Sequence, residues 1–191
     1  GDFRLNSYEW GVTYAGMLLA SETTGDPKYA SYTTSRLNFL AEIHPWFVKL
    51  EQKQPNSRHA FARVLNPHAL DDCGAMCAAM IKTQRLPGFD GNLKPMINTF
   101  ADYISNKEFR LADGTLARNR PLPNSMWLDD LFMAVPALAQ MGKYTGEAKY
   151  FDDAVKQVLQ FADRMFNYQK GLFMHGWVMG MDEHPQFHWA R

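Results

Sequence analysis

Two pairs of neighbouring aspartates, Asp71-Asp72 and Asp129-Asp130, each begin an apolar segment, and the pairs lie about 58 residues apart. A second similarity relates residues 24–29 to residues 145–150, about 121 residues apart, which is close to twice that spacing. A fixed period in this range indicates a fold made of repeated supersecondary units. The sequence therefore predicts helical hairpins of about 60 residues each.

Hydrophobic periodicity divides the chain into three helix pairs. The first helix of each pair is apolar almost throughout, as expected of an inner helix contacted on all sides, and these helices are predicted over residues 7–22, 71–84 and 128–143. The second helix of each pair has a polar face, as in an outer helix, and these are predicted over residues 27–43, 92–106 and 147–167.

Small and apolar side chains define the expected packing faces. In the first inner helix, Gly11, Ala15 and Gly16 allow a neighbouring helix to approach closely. In the last outer helix, one stripe carries the apolar side chains that we expect to face the core: Phe151, Ala154, Val155, Val158, Ala162 and Met165.

The connections between helices differ at the two ends of the hairpins. Inner helices pass to outer ones through tight turns at Gly25 and Gly146, each followed by an acidic residue that starts the next helix. Outer helices return through long stretches, about 44–70, 107–127 and 167–188, and long loops are usually functional or disordered. We therefore expect the cleft at the long-loop end, where converging helix N-termini favour an anionic substrate.

An arrangement of inner and outer helices of this kind is typical of (α/α)6 toroids. A full ring would need about 360 residues, whereas this chain has room for about three hairpins. We predict an all-α fold in which residues 1–191 form a single partial α/α-barrel catalytic domain, with residues 187–191 starting a fourth inner helix. The open apolar edge of this partial barrel would be covered by the missing half of the ring or by a partner copy in a homo-oligomer.

Composition excludes several classes of function. Lys plus Arg and Asp plus Glu both number 20, so no global charge attracts nucleic acid or an acidic membrane surface. No run of about 18 apolar residues spans a membrane, and the first residues lack the pattern of a signal peptide. The six histidines show no metal-ligand spacing, and no cofactor motif is visible, so we expect neither metal nor cofactor. The compartment, bacterial cytoplasm or periplasm, stays open.

The paired aspartates have two interpretations. A carboxylate in the first turn of a helix commonly caps it by accepting amide hydrogen bonds. Alternatively, one carboxylate of each pair points into the cleft among tryptophans, where desolvation favours its protonated form and suits it to general-acid catalysis. The spacing alone does not choose between the two, for Asp129 and Asp130 or for Asp71 and Asp72.

Other polar and aromatic residues of the long loops are candidates for binding. His175 lies in a loop on the cleft side, where a structural hydrogen bond is the ordinary role of a lone histidine. Arg118, Arg120 and Arg191 lie on the same side, and their planar guanidinium groups suit a carboxylate. Trp127 and Trp189 are either packing residues or platforms for the apolar face of a sugar.

Four segments resemble those of the unsaturated rhamnogalacturonyl hydrolases, glycoside hydrolase family 105: Tyr8-Glu9-Trp10-Gly11, Leu70-Asp71-Asp72-Cys73, Met126-Trp127-Leu128-Asp129-Asp130 and His175-Gly176-Trp177. The final Trp189-Ala190-Arg191 resembles the start of that family's Trp-x-Arg-Gly segment. A more distant resemblance is to the unsaturated glucuronyl hydrolases, family 88. The resemblance extends over the whole chain, and both families are (α/α)6 barrels.

This resemblance implies hydration of the 4,5-double bond of an unsaturated galacturonyl residue at the non-reducing end of a pectin-derived oligosaccharide. Asp129 matches the family's catalytic aspartate, and one carboxyl would serve as acid and then as base. Asp72 best matches the second active-site aspartate, with its neighbour Asp71 as the alternative. The positions that match sugar-contacting residues of the family are His175, Trp189 and Arg191, and with them Trp10, Arg120 and Trp127.

Two other functions are compatible with the same fold. A noncatalytic helical-repeat module would bind a partner on its concave face and would lack convergent Asp, His and Arg side chains. Another toroidal sugar-active enzyme, such as an unsaturated glucuronyl hydrolase or a sugar epimerase, would keep the cleft and change the chemistry. The expected ligand of the enzyme is a small acidic oligosaccharide.

Overall fold

The computed structural model describes residues 5–181 and consists mainly of helices. In chain order these are α1 Tyr8–Thr24, α2 Pro27–Lys53, the short α3 Ala62–Leu65, α4 Leu70–Gln84, α5 Lys94–Asp102, α6 Leu128–Thr145 and α7 Ala148–Met165. A π-helical turn, Tyr103–Lys107, continues α5. Within residues 5–181, no helix combines the length and the hydropathy needed to cross a lipid bilayer.

The helices form an arc of inner and outer layers. Helix α4 packs between α1 and α6, while α2, α5 and α7 each pack on the outside of the inner helix that precedes them. The prediction of an all-α toroid of hairpins, with about three hairpins in this chain, is confirmed. Helix α4 is buried over nearly its whole length, but α1 buries only Gly11, Tyr14 and Leu18, because it lies at one end of the arc.

Glycines set the spacing between the inner helices. A Cβ atom on Gly11 would lie 2.6 Å from the carbonyl carbon of Ala75, so the close approach predicted at Gly11 is confirmed. The other contact of this kind was not predicted: a Cβ atom on Gly74 would lie 2.2 Å from the carbonyl oxygen of Met133. Gly16 was expected at such a contact, but it faces open space. Backbone therefore packs on backbone on both sides of α4.

The two tight turns have the same structure. Gly25 and Gly146 have φ angles of 72° and 78°, the left-handed conformation that ends a helix, and each amide donates to the carbonyl four residues earlier. In both turns a threonine hydroxyl accepts from the amide two residues later, at 3.2 Å. The repeat recognised in the sequence is thus a repeated turn structure.

Two helix predictions differ from the structure. Helix α2 continues through Pro45 to Lys53, ten residues beyond its predicted end, and Phe47 stacks on Phe61 at 4.5 Å. Pro45 removes one backbone hydrogen bond from the helix, and the packing of Phe47 on Phe61 offsets this loss. The predicted core stripe of α7 is wrong in part: Phe151, Val155 and Val158 are exposed, since within the described residues α7 packs mainly on α6. Its buried side chains are Ala154, Gln157, Phe161 and Met165.

Short strands, which an all-α prediction omits, order the long connections. Strand β1, Ser125–Trp127, pairs antiparallel with β4, Gly176–Val178, and β2, Phe166–Asn167, pairs with β3, Leu172–Phe173. Trp127 lies opposite Gly176 in the first pair. The β1–β4 pair fixes the loop after α7 against the N-terminus of α6.

Side chains of α7 hold the connection before α6. Arg110 donates to both oxygens of Asp153, at 3.0 and 2.7 Å. The Gln157 carbonyl accepts from the amide of Leu116 at 2.8 Å, although Gln157 is fully buried. A buried polar group satisfied in this way fixes the path of the loop. The same loop continues to Arg118, which is thereby positioned at the head of α6.

Candidate active site

Asp129 and His175 lie together at the start of α6. The amide of Leu128 donates to the carbonyl of His175 at 2.8 Å, which continues the β1–β4 pairing into the first turn of the helix. As a result, His175 Nε2 lies 3.5 Å from Asp129 Oδ2, which is long for a hydrogen bond but within the range of an ion pair. The local backbone pairing therefore places an imidazole beside the carboxyl.

The carboxyl of Asp129 does not cap its own helix. No amide among residues 5–181 donates to it, and its side chain is 35% exposed, whereas His175 is buried. The ring of Trp127 contacts His175 edge to face, with centroids 5.2 Å apart. Three of the residues proposed from the sequence, Trp127, Asp129 and His175, are therefore neighbours at one helix terminus.

Arg118 joins the N-termini of the two inner helices α4 and α6. Its Nε and Nη2 donate to the two oxygens of Asp130, at 2.7 and 2.6 Å, and Nη2 also donates to Asp71 at 3.2 Å. The guanidinium lies 5.4 Å from the centre of the Trp127 ring. Its Nε and Nη2 donors are therefore occupied by carboxylates of the protein itself.

Asp130 is the buried member of its pair. It is 1% exposed, and burial raises its pKa to about 6, with Arg118 acting in the opposite direction. A buried carboxylate requires such a partner, because an isolated charge would be strongly disfavoured in the interior. Asp130 thus holds Arg118 in place, while its neighbour Asp129 stays accessible.

Asp71 and Asp72 also form a pair with one more exposed and one less exposed carboxyl. The side chain of Asp71 is 37% exposed, close to the 35% of Asp129, and it reaches Arg118. Asp72 is 20% exposed and accepts a hydrogen bond from the amide of His68 at 2.8 Å, so it fixes the residue before the helix. The structure brings Asp71 into contact with Arg118, whereas Asp72 contacts the His68 amide and lies 3.7 Å from Arg63.

The other candidates from the sequence are Arg120, Trp10, Trp189 and Arg191. Arg120 is exposed and donates to the carbonyl of His68 at 2.5 Å. Trp10 lies on α1, with its ring 5.8 Å from that of Tyr14. Trp189 and Arg191 lie outside the described residues.

Two cavities share Pro121 as a wall, and Asp129 is not among the residues that line either of them. The larger, about 630 Å³, is a charged cavity between the second and third hairpins, and its lining includes Asp71, Asp72, Glu108, Arg118 and Arg120. The smaller, about 260 Å³, is mostly apolar, and its lining includes Leu122, Met126, Trp127, His175 and Trp177.

Sequence reasoning missed Glu108 altogether. This residue follows the π-helical turn. Its Oε1 accepts from the amide of Phe109 at 3.1 Å, and its carboxyl also interacts with the side chain of Tyr103. Burial raises the pKa of Glu108 to about 7, and Asp130 adds to this, whereas Tyr103, the Phe109 amide and Arg118 oppose it. No motif marks such a residue, since its burial comes from tertiary packing.

Comparison with known proteins gives a family match and a fold match. The sequence model of Glycosyl Hydrolase Family 88 matches residues 2–191. A solved structure described as glycoside hydrolase family 105 from C. acetobutylicum aligns with a TM-score of 0.63 at 22% identity, over 93% of this chain and 45% of that one. This degree of likeness shows the fold.

Two further solved structures, each described as a possible member of the GH105 family, have the same fold. The one from Salmonella enterica serovar Paratyphi A gives a TM-score of 0.61 at 22% identity, over 93% of this chain and 42% of that one. The one from Klebsiella pneumoniae gives 0.61 at 19% identity, over 92% and 41%. The chain therefore spans less than half the length of each of these three structures.

Proposed function

Because the chain belongs to glycosyl hydrolase family 88, we propose that it carries the catalytic aspartate of an enzyme that hydrates unsaturated uronyl sugars. The proposed substrate is a rhamnogalacturonan oligosaccharide with a 4,5-unsaturated galacturonyl residue at its non-reducing end. The observation that carries this proposal is the position of Asp129, an accessible carboxyl beside His175 that caps no amide of the described chain.

In the proposed reaction, Asp129 first acts as an acid. It donates its proton to C4 of the enol ether, and the positive charge that develops at C5 is shared with the ring oxygen. A water molecule then adds to C5 and gives its proton to the same carboxylate. The resulting hemiketal opens by breaking the bond between C5 and the ring oxygen, which leaves a ketone at C5 and a hemiacetal at C1 that releases the linked sugar.

The proposed site includes a second carboxylate beside Asp129. Asp72 and Asp71 are the candidates, and the contact of Asp71 with the Arg118–Asp130 pair favours Asp71. His175 and Trp127 would contact the sugar, as would Trp10, Arg120, Trp189 and Arg191 in the complete site.

The family match also favours a second candidate substrate, an oligosaccharide that ends in an unsaturated glucuronyl residue. Galacturonate and glucuronate differ in configuration at C4. The elimination that forms the 4,5-double bond removes this stereocentre, so the unsaturated ring is the same in both. The two substrates therefore differ in the linked sugar. The apolar cavity beside His175 suits a 6-deoxy sugar such as rhamnose, whose methyl group can pack on Trp127 or Trp177.

The origin of the ketone oxygen tests the proposed reaction. The intact protein is incubated with unsaturated galacturonyl rhamnose in heavy-oxygen water, and the products are reduced at once with borohydride to stop exchange. Hydration places the label at C5 of the uronyl product and leaves the rhamnose unlabelled. Attack at the anomeric carbon would instead label C1 and leave the original ring oxygen at C5, and this result would exclude the proposed chemistry.

A further inference from the structure

We propose that Arg118 is a positioning residue: its guanidinium holds the ring of Trp127 against His175 and thereby fixes the imidazole beside Asp129. The inference rests on the proposed function, because it deepens the account of the same site. It is carried by the contacts that lead from Arg118 through Trp127 and His175 to Asp129, and by the hydrogen bonds that fix Arg118 itself.

The backbone brings Arg118 beside Trp127. The amide of Arg118 donates to the carbonyl of Ser125 at 2.7 Å, and the amide of Ser125 donates to the carbonyl of Arg118 at 2.9 Å, which forms an antiparallel bridge at the start of β1. Side chains alternate between the faces of a strand, so Ser125 and Trp127 share a face, and Arg118 is the diagonal neighbour of Trp127. The guanidinium lies 5.4 Å from the centre of the Trp127 ring, within the range of a cation–π contact.

On its other side, strand β1 gives Trp127 a partner without a side chain. Trp127 lies opposite Gly176 of β4, and a glycine cannot pack on a cross-strand neighbour. The ring of Trp127 contacts Arg118 and, edge to face, His175, with centroids 5.2 Å apart in the second contact. The Nε2 atom of His175 lies 3.5 Å from Asp129 Oδ2. A displacement of the Trp127 ring would therefore reach Asp129 through one imidazole.

Arg118 can hold a ring because its own guanidinium is fixed. Its Nε and Nη2 donate to the two oxygens of Asp130 at 2.7 and 2.6 Å, and Nη2 also donates to Asp71 at 3.2 Å. Asp130 belongs to α6 and Asp71 to α4, so two helices set the plane of the group. A lysine would supply the charge without the plane, since its ammonium is a point charge on a flexible chain. The proposed role thus depends on the shape of the arginine as well as on its charge.

A simpler role for Arg118 is to neutralise Asp130, which is 1% exposed. The two roles predict different results when Asp130 is compensated in another way. Arg118→Lys keeps a cation beside Asp130. The double variant Arg118→Met, Asp130→Leu replaces both charges by apolar side chains, a change that buried pairs often tolerate. A neutralising Arg118 predicts wild-type behaviour in both variants, whereas a positioning Arg118 predicts that both displace Trp127 and His175.

Proton NMR of the histidine rings tests the proposal in the intact protein. The sequence has six histidines, and the His175 signals are those lost in His175→Gln. Because the ring current of Trp127 shifts nearby protons, Trp127→Leu gives the position of these signals without the indole ring. In Arg118→Lys and in the double variant, we expect the His175 signals to move from the wild-type position towards that in Trp127→Leu. Wild-type signals in either folded variant would overturn the proposal, and so would failure of both variants to fold.

Enzyme kinetics give a second readout. If the protein hydrates the unsaturated sugar, both variants should lose at least tenfold in kcat, because a small displacement of a group at the site costs rate, and full kcat in both would overturn the proposal. Arg36→Lys is the matched control, since Arg36 also lies over an aromatic ring, 3.5 Å from the centre of Tyr32 on the outer helix α2. It should leave kcat and the His175 signals unchanged. Absence of hydration in the wild type would refute the proposed function alone, because the NMR signals would still report the position of His175.

Discussion

His175 Nε2 lies 3.5 Å from Asp129 Oδ2 because the backbone of His175 is hydrogen-bonded into the first turn of α6. A carboxyl at a helix N-terminus usually accepts amide hydrogen bonds, but Asp129 accepts none among the described residues. A side chain that stabilises neither its helix nor a buried pair is available for another role. This availability distinguishes Asp129 from Asp130 and Asp72, which have the same residue type and nearly the same helical position.

The two aspartates at the head of α4 should respond differently to removal of their charge. Asp71→Asn should lower kcat at least tenfold, because Asp71 contacts the Arg118–Asp130 pair beside Asp129. Asp72→Asn should retain most activity and cost about 1 kcal/mol in the free energy of unfolding, since it weakens the bond to the His68 amide. Steady-state kinetics and urea denaturation of both variants measure the difference. Loss of activity in Asp72→Asn alone would assign the role to Asp72.

Removal of Arg118 should strongly destabilise the protein. Arg118→Met leaves Asp130 buried without its cation, and breaking a buried pair in this way costs about 3–5 kcal/mol. Arg85→Met is the matched control, because Arg85 makes an exposed contact with Gln140, and its effect should stay within about 0.5 kcal/mol. Equal unfolding free energies for the two variants would show that the Arg118 pair adds little to stability.

The spacing of the inner helices should depend on Gly74. Gly74→Ala places a Cβ atom against the Met133 carbonyl and forces α4 and α6 apart, at a cost of about 3 kcal/mol or more. Gly16→Ala, in a helix with open space around it, should instead stabilise the protein by about 0.5–1 kcal/mol. Thermal unfolding of both variants tests the contact, and a neutral Gly74→Ala would contradict it.

Stability should fall with rising pH through the titration of Glu108. Its pKa in the folded protein, about 7, is higher than the usual value of 4.5, so its contribution is fully present below pH 4.5 and is lost as pH rises through 7. Relative to Glu108→Gln, the wild type should lose about 2 kcal/mol over this range, less than the full shift because part of the side chain meets solvent. Urea denaturation across the range measures it, and a constant difference between the two proteins would contradict it.

The fold could be predicted from the sequence because its signals are local and repeated. The Gly25 and Gly146 turns and the apolar inner helices each depend on neighbouring residues, and all were located to within a few residues. The extension of α2 past Pro45 was not predictable in this way, because it depends on Phe47 packing against a residue far along the chain.

The site could be predicted only in part, because it also depends on contacts between residues far apart in the sequence. The paired aspartates mark the helix starts, but which member is buried depends on where Arg118 lies, and the loop that positions Arg118 is held by Asp153 and Gln157 of α7. The raised pKa of Glu108 comes from burial and not from a motif. Trp127, Asp129 and His175 were candidates from their positions in the sequence and from the resemblance, and the β1–β4 pairing brings them together.

The central claim is that Asp129 supplies the proton for hydration of the unsaturated sugar. Its most direct test is the rate at which the intact Asp129→Asn variant removes the ultraviolet absorbance of unsaturated galacturonyl rhamnose, compared with Asp163→Asn on the exposed face of α7 as control. We expect Asp129→Asn to lose at least 99% of the wild-type rate, about 2.7 kcal/mol in the barrier, with unchanged unfolding, while Asp163→Asn keeps full activity. A folded Asp129→Asn variant with wild-type turnover would contradict the account.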